Sequence, residues 1–314
     1  MTANPQASPS GATHAGLATT PPGANTLMYL AYGGGMHIDE AVFSLLTAAH
    51  FEPFDGGRVR YLVVTDRPEA FEPLEGVVVQ RIDQAKLDAW LGGGDYVHRR
   101  KQMAMIETLE AQGGKLVFVD TDTCFQRSPS RLFDRIGPGR SCLHLMENAL
   151  RFHGDVDGRR MWDALDAHPF AWGDGARAAV TGDNEMWNSG VTGLHRADIE
   201  VLREGLRLSD HLWAQTRANT AEQFAVGLAA RHLTSVSASS DVVFHYWHIF
   251  IKQAFHAQMA RVLPEIMALS APERPRAAFK ARARATPLQR LKHGVKLRLR
   301  QVGWPVHGIL RSDF

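Results

Sequence analysis

Cysteine is scarce in this chain of 314 residues, which contains only Cys124 and Cys142. Two cysteines do not make the disulfide framework of a small secreted domain, so both are expected to be buried as small apolar residues in a reducing compartment. The sequence also lacks a run of about 18 consecutive apolar residues, which a membrane-spanning helix needs. Its N-terminus lacks the charged and apolar regions of a signal peptide. These absences predict a cytoplasmic protein without a membrane span.

Acidic residues are missing between Arg274 and Arg300, where ten of the 35 basic residues lie. The other 25 basic residues face 33 acidic ones, so an acidic body is joined to a basic C-terminal tail, residues 271–314. The apolar residues of the tail recur every three or four positions: Leu288, Leu291, Val295 and Leu299. This spacing predicts a basic amphipathic helix, which can lie on an anionic membrane surface.

Two other interpretations of the tail remain open, a helix packed on the body of the protein and a nucleic-acid-binding arm. The tail has no nucleic-acid-binding signature and no aromatic platform for bases, so a nucleic-acid partner is not expected. The sequence therefore favours contact of residues 274–300 with an anionic membrane, which predicts a peripheral protein on the cytoplasmic face of the inner membrane.

The remaining sequence predicts one α/β domain, residues 27–270, after a disordered lead, residues 1–26, rich in proline, alanine, serine, threonine and glycine. The predicted strands are 27–32, 59–65, 76–82, 115–119, 141–146, 188–195 and 241–248. The predicted helices are 37–51, 96–111, 198–213 and 220–233, the last with Thr220 as N-cap. Alternating strands and helices favour a Rossmann-like, mixed but mostly parallel sheet with helices on both faces.

Polar or flexible residues follow three of these strands directly. Gly33, Gly34 and Gly35 follow the first strand, Asp66 follows the second, and Asp120 begins a pair of aspartates after the apolar run of residues 116–119. Ligands bind at the carboxyl ends of the strands in sheets of this kind. The three strand ends therefore predict one binding site.

The two aspartates, Asp120 and Asp122, are one residue apart on an extended chain, so their side chains point the same way. Unpaired carboxylates so close together would raise the pKa of one of them. A divalent cation such as Mg²⁺ or Mn²⁺ removes this conflict, because hard cations prefer oxygen ligands. The alternative is a turn with two solvated aspartates.

Six segments of the sequence form an ordered set. They are YLAYGGG at 29–35, the basic residues 99–101, VFVDTDT at 117–123, WNSGVTGLH at 187–195, the pair 222–223, and VFHYW at 243–247. In this order, over residues 27 to about 255, the sequence resembles the nucleotide-sugar glycosyltransferases of the A-type fold. It is most similar to the retaining galactosyl- and glucosyltransferase group that includes glycogenin.

This resemblance implies a metal-dependent enzyme that moves a sugar, with retention, from a nucleotide sugar (a UDP-sugar) to a glycan or lipid-linked acceptor. It implies Mn²⁺ or Mg²⁺ held by Asp120, Asp122 and His245. Glu222 and Gln223 join the two aspartates as candidates for contacts at the reacting carbon. The residues implied around the donor are Ala31, Tyr32, Gly33, Asp66, Lys101, Thr121, Asn188, Ser189, Gly190 and Lys252. Further candidates near the sugar are Asp39, Asp183 and Glu185.

The last motif departs from the family pattern. His248 stands where the family has glycine, and Lys252 comes one residue late without the following proline and tryptophan. His248, and less directly His256, are therefore alternatives to His245 as the third metal ligand. On one strand, His245 and His248 face opposite ways, so only one of them can serve.

Three rival functions remain open. A haloacid-dehalogenase-like phosphatase would use Asp120 as nucleophile, but that pattern expects threonine or valine where Cys124 stands. A nucleotidyltransferase would need arginine or lysine in the loop 33–37, whose only basic residue is His37. A catalytically degenerate scaffold at the membrane would bind lipid and no nucleotide.

Overall fold

The structure is a computed structural model that describes residues 25–150, 156–178 and 180–284, together with Val295 and Arg298. The predicted disordered lead, apart from its last two residues, and the predicted amphipathic helix around residues 288–299, apart from those two isolated positions, lie outside the described residues.

Nine strands and nine α-helices make up the described fold. The strands are β1 Asn25–Ala31, β2 Arg60–Thr65, β3 Val78–Arg81, β4 Lys115–Val119, β5 Thr123–Phe125, β6 Arg140–Ala149, β7 Glu185–His195, β8 Ser235–Ala238 and β9 Val243–His245. The helices are α1 Gly35–Ala49, α2 Gln84–Ala89, α3 Arg99–Gln112, α4 Ser130–Phe133, α5 Val156–Ala167, α6 Glu200–Thr216, α7 Ala221–Leu233, α8 Ile249–Met267 and α9 Arg274–Ala281.

Seven strands form the main sheet, in the order β3-β2-β1-β4-β7-β6-β8, while β5 and β9 form a separate antiparallel pair. The pairs β3-β2, β2-β1, β1-β4 and β6-β8 are parallel, and β7 runs antiparallel to both of its neighbours. The predicted α/β fold with a mixed, mostly parallel sheet is therefore confirmed.

The central strands are apolar on both faces, and the side chains alternate between two cores. Met28 and Phe118 point toward the core that α3, α6 and α7 cover. Tyr29 and Val117 point toward the core that contains Phe43 of α1 and residues of α8. Successive strand residues face opposite sides of a sheet, so a strand covered on both sides needs a continuous apolar run. The predicted covering of both faces by helices is confirmed.

The antiparallel strand β7 brings its first half to the carboxyl edge of the parallel strands. Val119, the last residue of β4, pairs with Val191, and the N–H of Asp120 donates to the carbonyl of Gly190 at 2.8 Å. Residues 185–190 therefore run outward beyond that edge, which places the Asn-Ser-Gly segment beside the aspartate pair.

Three details of the predicted elements need correction. The predicted strand 241–248 is wrong in length, because β9 ends at His245 and α8 begins at Ile249 with His248 as its N-cap. Helix α8 was not predicted, and its apolar residues at helical spacing pack into the core.

Thr220 precedes α7 as predicted, but its side chain does not cap the helix. The hydroxyl of Tyr96 instead accepts from the N–H of Glu222 at 2.8 Å.

The beginning of the predicted basic tail is a helix packed on the body. Phe279 of α9 stacks on His50 with ring centroids 4.1 Å apart, and Ala278 is fully buried. Arg274 donates to the carbonyl of Pro73 at 2.8 Å. In the part of the chain that the structure describes, no helix has the length and apolarity to cross a membrane.

Asp241 anchors the start of the β9 segment through two arginines, and this gives a pH-dependent prediction. Arg127 donates to its carboxylate at 2.9 Å and Arg135 at 2.7 and 2.8 Å. The hydrogen bonds from Arg135 lower the pKa of Asp241 below its ordinary value. A lowered folded-state pKa gives stability that is present above the unfolded pKa of about 3.9 and is lost as the pH falls through the folded value.

We therefore expect Asp241→Asn to melt about 2 °C below the wild type at pH 7, a small effect because the pair is partly exposed. The gap should shrink as the pH falls from about 5 to about 2, because the folded wild-type carboxylate gains its proton only below the unfolded pKa of about 3.9. Thermal unfolding of both proteins across this range checks the prediction. A constant gap would show that the charge of Asp241 contributes nothing.

Candidate functional site

Three side chains at the carboxyl edge of the sheet form a cluster with the chemistry of a metal site. One ligand atom each from Asp120, Asp122 and His245 lies within 4.8 Å of the others, the one such group among the described residues. Nε2 of His245 is 3.1 Å from Asp122 Oδ1 and 3.9 Å from Asp120 Oδ2. Two carboxylate oxygens and an imidazole nitrogen are a donor set that could hold a divalent metal ion. The predicted ligands are therefore brought together.

The pairing of β5 with β9 explains how His245 reaches the aspartates. Thr123, directly after the second aspartate, pairs with His245, and the carbonyl of Asp122 accepts from the N–H of Tyr246 at 3.0 Å. His248 lies at the start of α8, outside the cluster. His256 lies 2.6 Å from a carboxylate oxygen of Glu40 instead.

The orientation of the His245 ring is set by Asn188 and by a missing side chain at Gly190. Oδ1 of Asn188 accepts from the N–H of Gly190 at 2.9 Å and lies 3.0 Å from Nδ1 of His245. Because that oxygen only accepts, Nδ1 must carry the proton, which leaves Nε2 toward the aspartates. A Cβ at Gly190 would lie 2.3 Å from the ring. The Asn-Gly segment thus positions the imidazole.

Cations of the protein neutralise the aspartate pair. Nζ of Lys101 is 3.2 Å from Asp120 Oδ1, and Nζ of Lys252 is 2.8 Å from Asp122 Oδ2. Burial raises the pKa of Asp122, but His245 and Lys252 outweigh it and hold that pKa well below the usual range. Burial lowers the pKa of His245, but the charge of Asp122 and the hydrogen bond to it outweigh burial, so the net shift is upward. Asp122 is therefore ionised and balanced by neighbouring cations.

Lys101 connects the cluster of Asp120, Asp122 and His245 to α7. Its ammonium donates to the carbonyl of Ser189 at 2.7 Å, and it lies 3.8 Å from Glu222. Ser189 in turn donates its hydroxyl hydrogen to Glu222 at 2.9 Å. Burial lowers the pKa of Lys101, but Asp120 and Glu222 raise it overall, so the ammonium stays charged.

Glu147 on β6 is a site residue that sequence reasoning missed. It accepts from the side-chain amide of Asn188 at 3.0 Å and from that of Gln223 at 3.2 Å. Glu222 and Gln223, the predicted pair in the first turn of α7, therefore reach the same network as the predicted strand residues. No local pattern marks Glu147, because only the pairing of β6 with β7 brings it there.

The glycine loop after β1 and the aspartate after β2 meet at the same edge. The N–H of Gly33 donates to both carboxylate oxygens of Asp66, at 3.1 and 3.2 Å. Gly33 has a φ of +80°, which favours glycine. Neighbouring Tyr32 is half-buried, with the guanidinium of Arg100 5.3 Å from its ring centroid. Ala31 is the last residue of β1 and is buried. These predicted donor contacts thus lie together, and Asp66 fixes the loop.

Glu40 on α1 is the second residue that sequence reasoning missed. It is fully buried and accepts from the hydroxyl of Thr121 at 3.0 Å. The exposed neighbour Asp39, the predicted candidate on this helix, makes none of these contacts. The signal in the sequence is a polar stripe at helical spacing, Glu40, Ser44 and Thr47, beside the apolar stripe. Ser44 lies on the same face of α1, and its hydroxyl is 2.7 Å from that of Thr123, directly after Asp122.

Asp183 and Glu185 do not belong to the cluster of Asp120, Asp122 and His245. They line a separate cavity of about 410 Å³ near the outer end of β7, together with Trp172 and Arg231. Glu185 accepts from the indole of Trp187 at 2.8 Å and pairs with Arg231 at 3.1 Å. The structure therefore separates these two carboxylates from the other predicted sugar contacts.

Comparison with known proteins gives similarity of fold only. No family model and no curated protein sequence matches the chain. The chain is similar to the apo form of mouse xyloside xylosyltransferase 1, with 13% identity, 69% of this chain and 85% of that chain covered, and a TM-score of 0.46. It is also similar to the galactosyltransferase LgtC in complex with donor and acceptor sugar analogues, with 11% identity, coverage of 68% and 73%, and a TM-score of 0.44. Since both TM-scores are below 0.5, the chemistry is inferred from the site's own residues.

Proposed function

We propose that this protein is a metal-dependent glycosyltransferase of the A-type fold that uses a nucleotide sugar, a UDP-sugar by resemblance. The observation that carries the proposal is the meeting of Asp120, Asp122 and His245 at the carboxyl edge of the sheet, with Lys101 and Lys252 against the carboxylates. The ordered motifs that resemble those glycosyltransferases support the same conclusion.

A diphosphate leaving group gains negative charge as the bond to the sugar breaks, so the site must supply positive charge there. A divalent cation held by the two aspartates and His245 would act as a Lewis acid on that group. Lys101 and Lys252 remain protonated and add two positive charges to the site.

The donor would lie against the loop at Gly33, where the missing Cβ atoms let a nucleotide approach the backbone. Gly33, Gly34 and Gly35 are exposed, and a Cβ at any of them would meet no atom within 4 Å. Ala31, Tyr32, Gly33, Asp66 and Thr121 would contact the nucleotide, and Asn188, Ser189, Gly190 and Gln223 the sugar. Glu222, 3.8 Å from Nζ of Lys101, would lie near the reacting carbon of the sugar.

The acceptor is proposed to be a glycan or a lipid-linked sugar, with retention of configuration by resemblance. In that reaction the leaving phosphate would take the proton of the acceptor hydroxyl. We also propose a cytoplasmic location with the basic segment 274–300 against an anionic membrane, where each basic residue adds about 1 kcal/mol.

The test is a calorimetric titration of the protein with UDP, with and without Mn²⁺. We expect binding that requires the metal, and a melting temperature that rises with UDP, since a ligand at a hundred times its Kd stabilises a fold by about 2.7 kcal/mol. Absence of binding by UDP and by every other nucleoside diphosphate would overturn the proposal.

The rival functions predict different results in the same preparation. A phosphatase would hydrolyse an aryl phosphate and lose this activity in Asp120→Asn. A degenerate scaffold would bind anionic vesicles and no nucleotide.

A further inference from the structure

The ammonium of Lys252 lies between two carboxylates that belong to different parts of the fold. Its Nζ is 2.8 Å from Oδ2 of Asp122 and 3.6 Å from Oε1 of Glu40. Lys252 extends from the first turn of α8, and its side chain is 25% exposed. Burial lowers the pKa of Lys252, but the two carboxylates raise it overall, so the side chain is a cation at neutral pH.

Glu40 is held in place from several directions. Oε2 accepts from the hydroxyl of Thr121 at 3.0 Å and lies 3.3 Å from Nδ1 of His37, while Oε1 lies 2.6 Å from Nε2 of His256. Burial raises the pKa of Glu40, but hydrogen bonds to the two histidines lower it below its ordinary value. A buried charge persists only with such partners. Glu40 is thus a fixed negative charge beside Lys252.

A divalent cation on Asp122 would share that carboxylate with the ammonium of Lys252. Mg²⁺ binds its oxygen ligands at about 2.0–2.1 Å, and the ammonium already lies 2.8 Å from Oδ2 of Asp122. Two cations that share one carboxylate repel each other strongly in a partly buried site. The ammonium therefore opposes cation binding unless a second carboxylate receives it, and Glu40 is that second carboxylate.

We propose that Lys252 competes with the divalent cation for Asp122, and that Glu40 is a positioning residue that holds the Lys252 ammonium when the cation binds. This inference rests on the metal site of the proposed function. It assigns a role to a side chain that contacts neither the metal ligands nor, in the proposed arrangement, the substrate. It also gives α1 a part in setting the metal affinity of a centre built by β4, β5 and β9.

The two residues have opposite effects on metal affinity, which makes the test sharp. We expect Lys252→Met to bind Mn²⁺ about tenfold more tightly than the wild type, because one repelling charge is gone. We expect Glu40→Gln to bind Mn²⁺ about tenfold more weakly, because the ammonium then stays on Asp122. The Kd of Mn²⁺ is measured by electron paramagnetic resonance of the free ion, without nucleotide or turnover.

The double variant shows whether Glu40 acts through Lys252. In a double-mutant cycle, Glu40→Gln should weaken Mn²⁺ binding at least threefold less in the Lys252→Met protein than in the wild type. Equal losses in both backgrounds would overturn the positioning role and leave only a direct charge effect of Glu40. Unchanged or weaker binding by Lys252→Met would overturn the competition itself.

Two matched variants control for the loss of a charge elsewhere. Glu52→Gln removes another buried carboxylate near α1, which Ser128 and Ser130 each contact at 2.6 Å. Lys115→Met removes a lysine at the far end of β4, where it donates to the carbonyl of Phe133. Neither should change the Kd of Mn²⁺ by more than about twofold.

Two further outcomes keep the inference separate from protein stability and from the proposed function. If Glu40→Gln does not fold by circular dichroism, the sign of the Lys252→Met effect still decides the competition. If the wild type binds no Mn²⁺, both the metal site and this inference fail. If it binds Mn²⁺ and UDP but Lys252→Met is unaffected, only this inference fails.

Discussion

Replacing Asp122 by alanine is expected to abolish Mn²⁺-dependent UDP binding, with a loss of at least about a hundredfold in affinity. Asp122 is one of the three proposed metal ligands, and the pairing of Thr123 with His245 holds its carboxylate beside the imidazole. Loss of one hard oxygen ligand removes most of the attraction for a small divalent cation. Calorimetry with UDP and Mn²⁺ checks this result, and a thermal melt shows that the variant is folded.

The control for this variant is Asp198→Ala. Asp198 follows β7 at the opposite edge of the sheet, where it accepts from the N–H of Gly139 at 3.0 Å. The Asp198→Ala protein should bind UDP like the wild type. Retention of metal-dependent UDP binding by Asp122→Ala would contradict the assignment of Asp122 as a metal ligand, whatever the control does.

Gly190→Ala should weaken metal binding although it replaces none of the proposed metal ligands. The added Cβ would lie 2.3 Å from Cε1 and Nδ1 of His245 and 3.0 Å from Oδ1 of Asn188. A contact this short forces the ring to move, and overpacking of this kind also costs about 1–3 kcal/mol of stability. We expect the affinity for Mn²⁺ to fall about a hundredfold, measured from the free ion.

A glycine three residues further along β7 provides the comparison. A Cβ at Gly193 would lie 2.5 Å from Sγ of Cys142 and 2.6 Å from Cδ1 of Ile136, in the apolar core. Gly193→Ala should therefore lower the melting temperature by a similar amount while Mn²⁺ affinity stays at the wild-type level. Equal losses of Mn²⁺ binding in both variants would mean that strain in β7, rather than the position of His245, controls the site.

The sequence predicts the structure where one short segment carries the whole pattern. The apolar run of β4 ends at Asp120, and this pattern predicts both the strand and the site at its end. The Asn-Ser-Gly segment is likewise a short pattern, and the structure brings it beside the aspartates. Parallel strands with apolar residues on both faces also follow from continuous apolar runs.

Side chains whose role depends on a distant partner are only partly predictable from the sequence. The polar stripe of α1 marks Glu40 as unusual, but only its contact with Thr121, 81 positions later, gives it a place at the site. Helix α8 was missed because the apolar residues of 241–248 continue into it without a break. The role of a residue such as Lys252 depends on its partners, and the packing of the fold determines which partners it has.

The short pairing of β5 with β9 makes the proposed metal site depend on a contact between distant parts of the chain. Asp122 and His245 are 123 positions apart, so closing that loop carries a large entropic cost before the ligands meet. Contacts of such high sequence separation form slowly. A chain in which β9 has not yet paired with β5 would therefore hold the two aspartates without the imidazole. Binding of Mn²⁺ would then require the completed pairing, and it would stabilise the paired β9 segment by mass action.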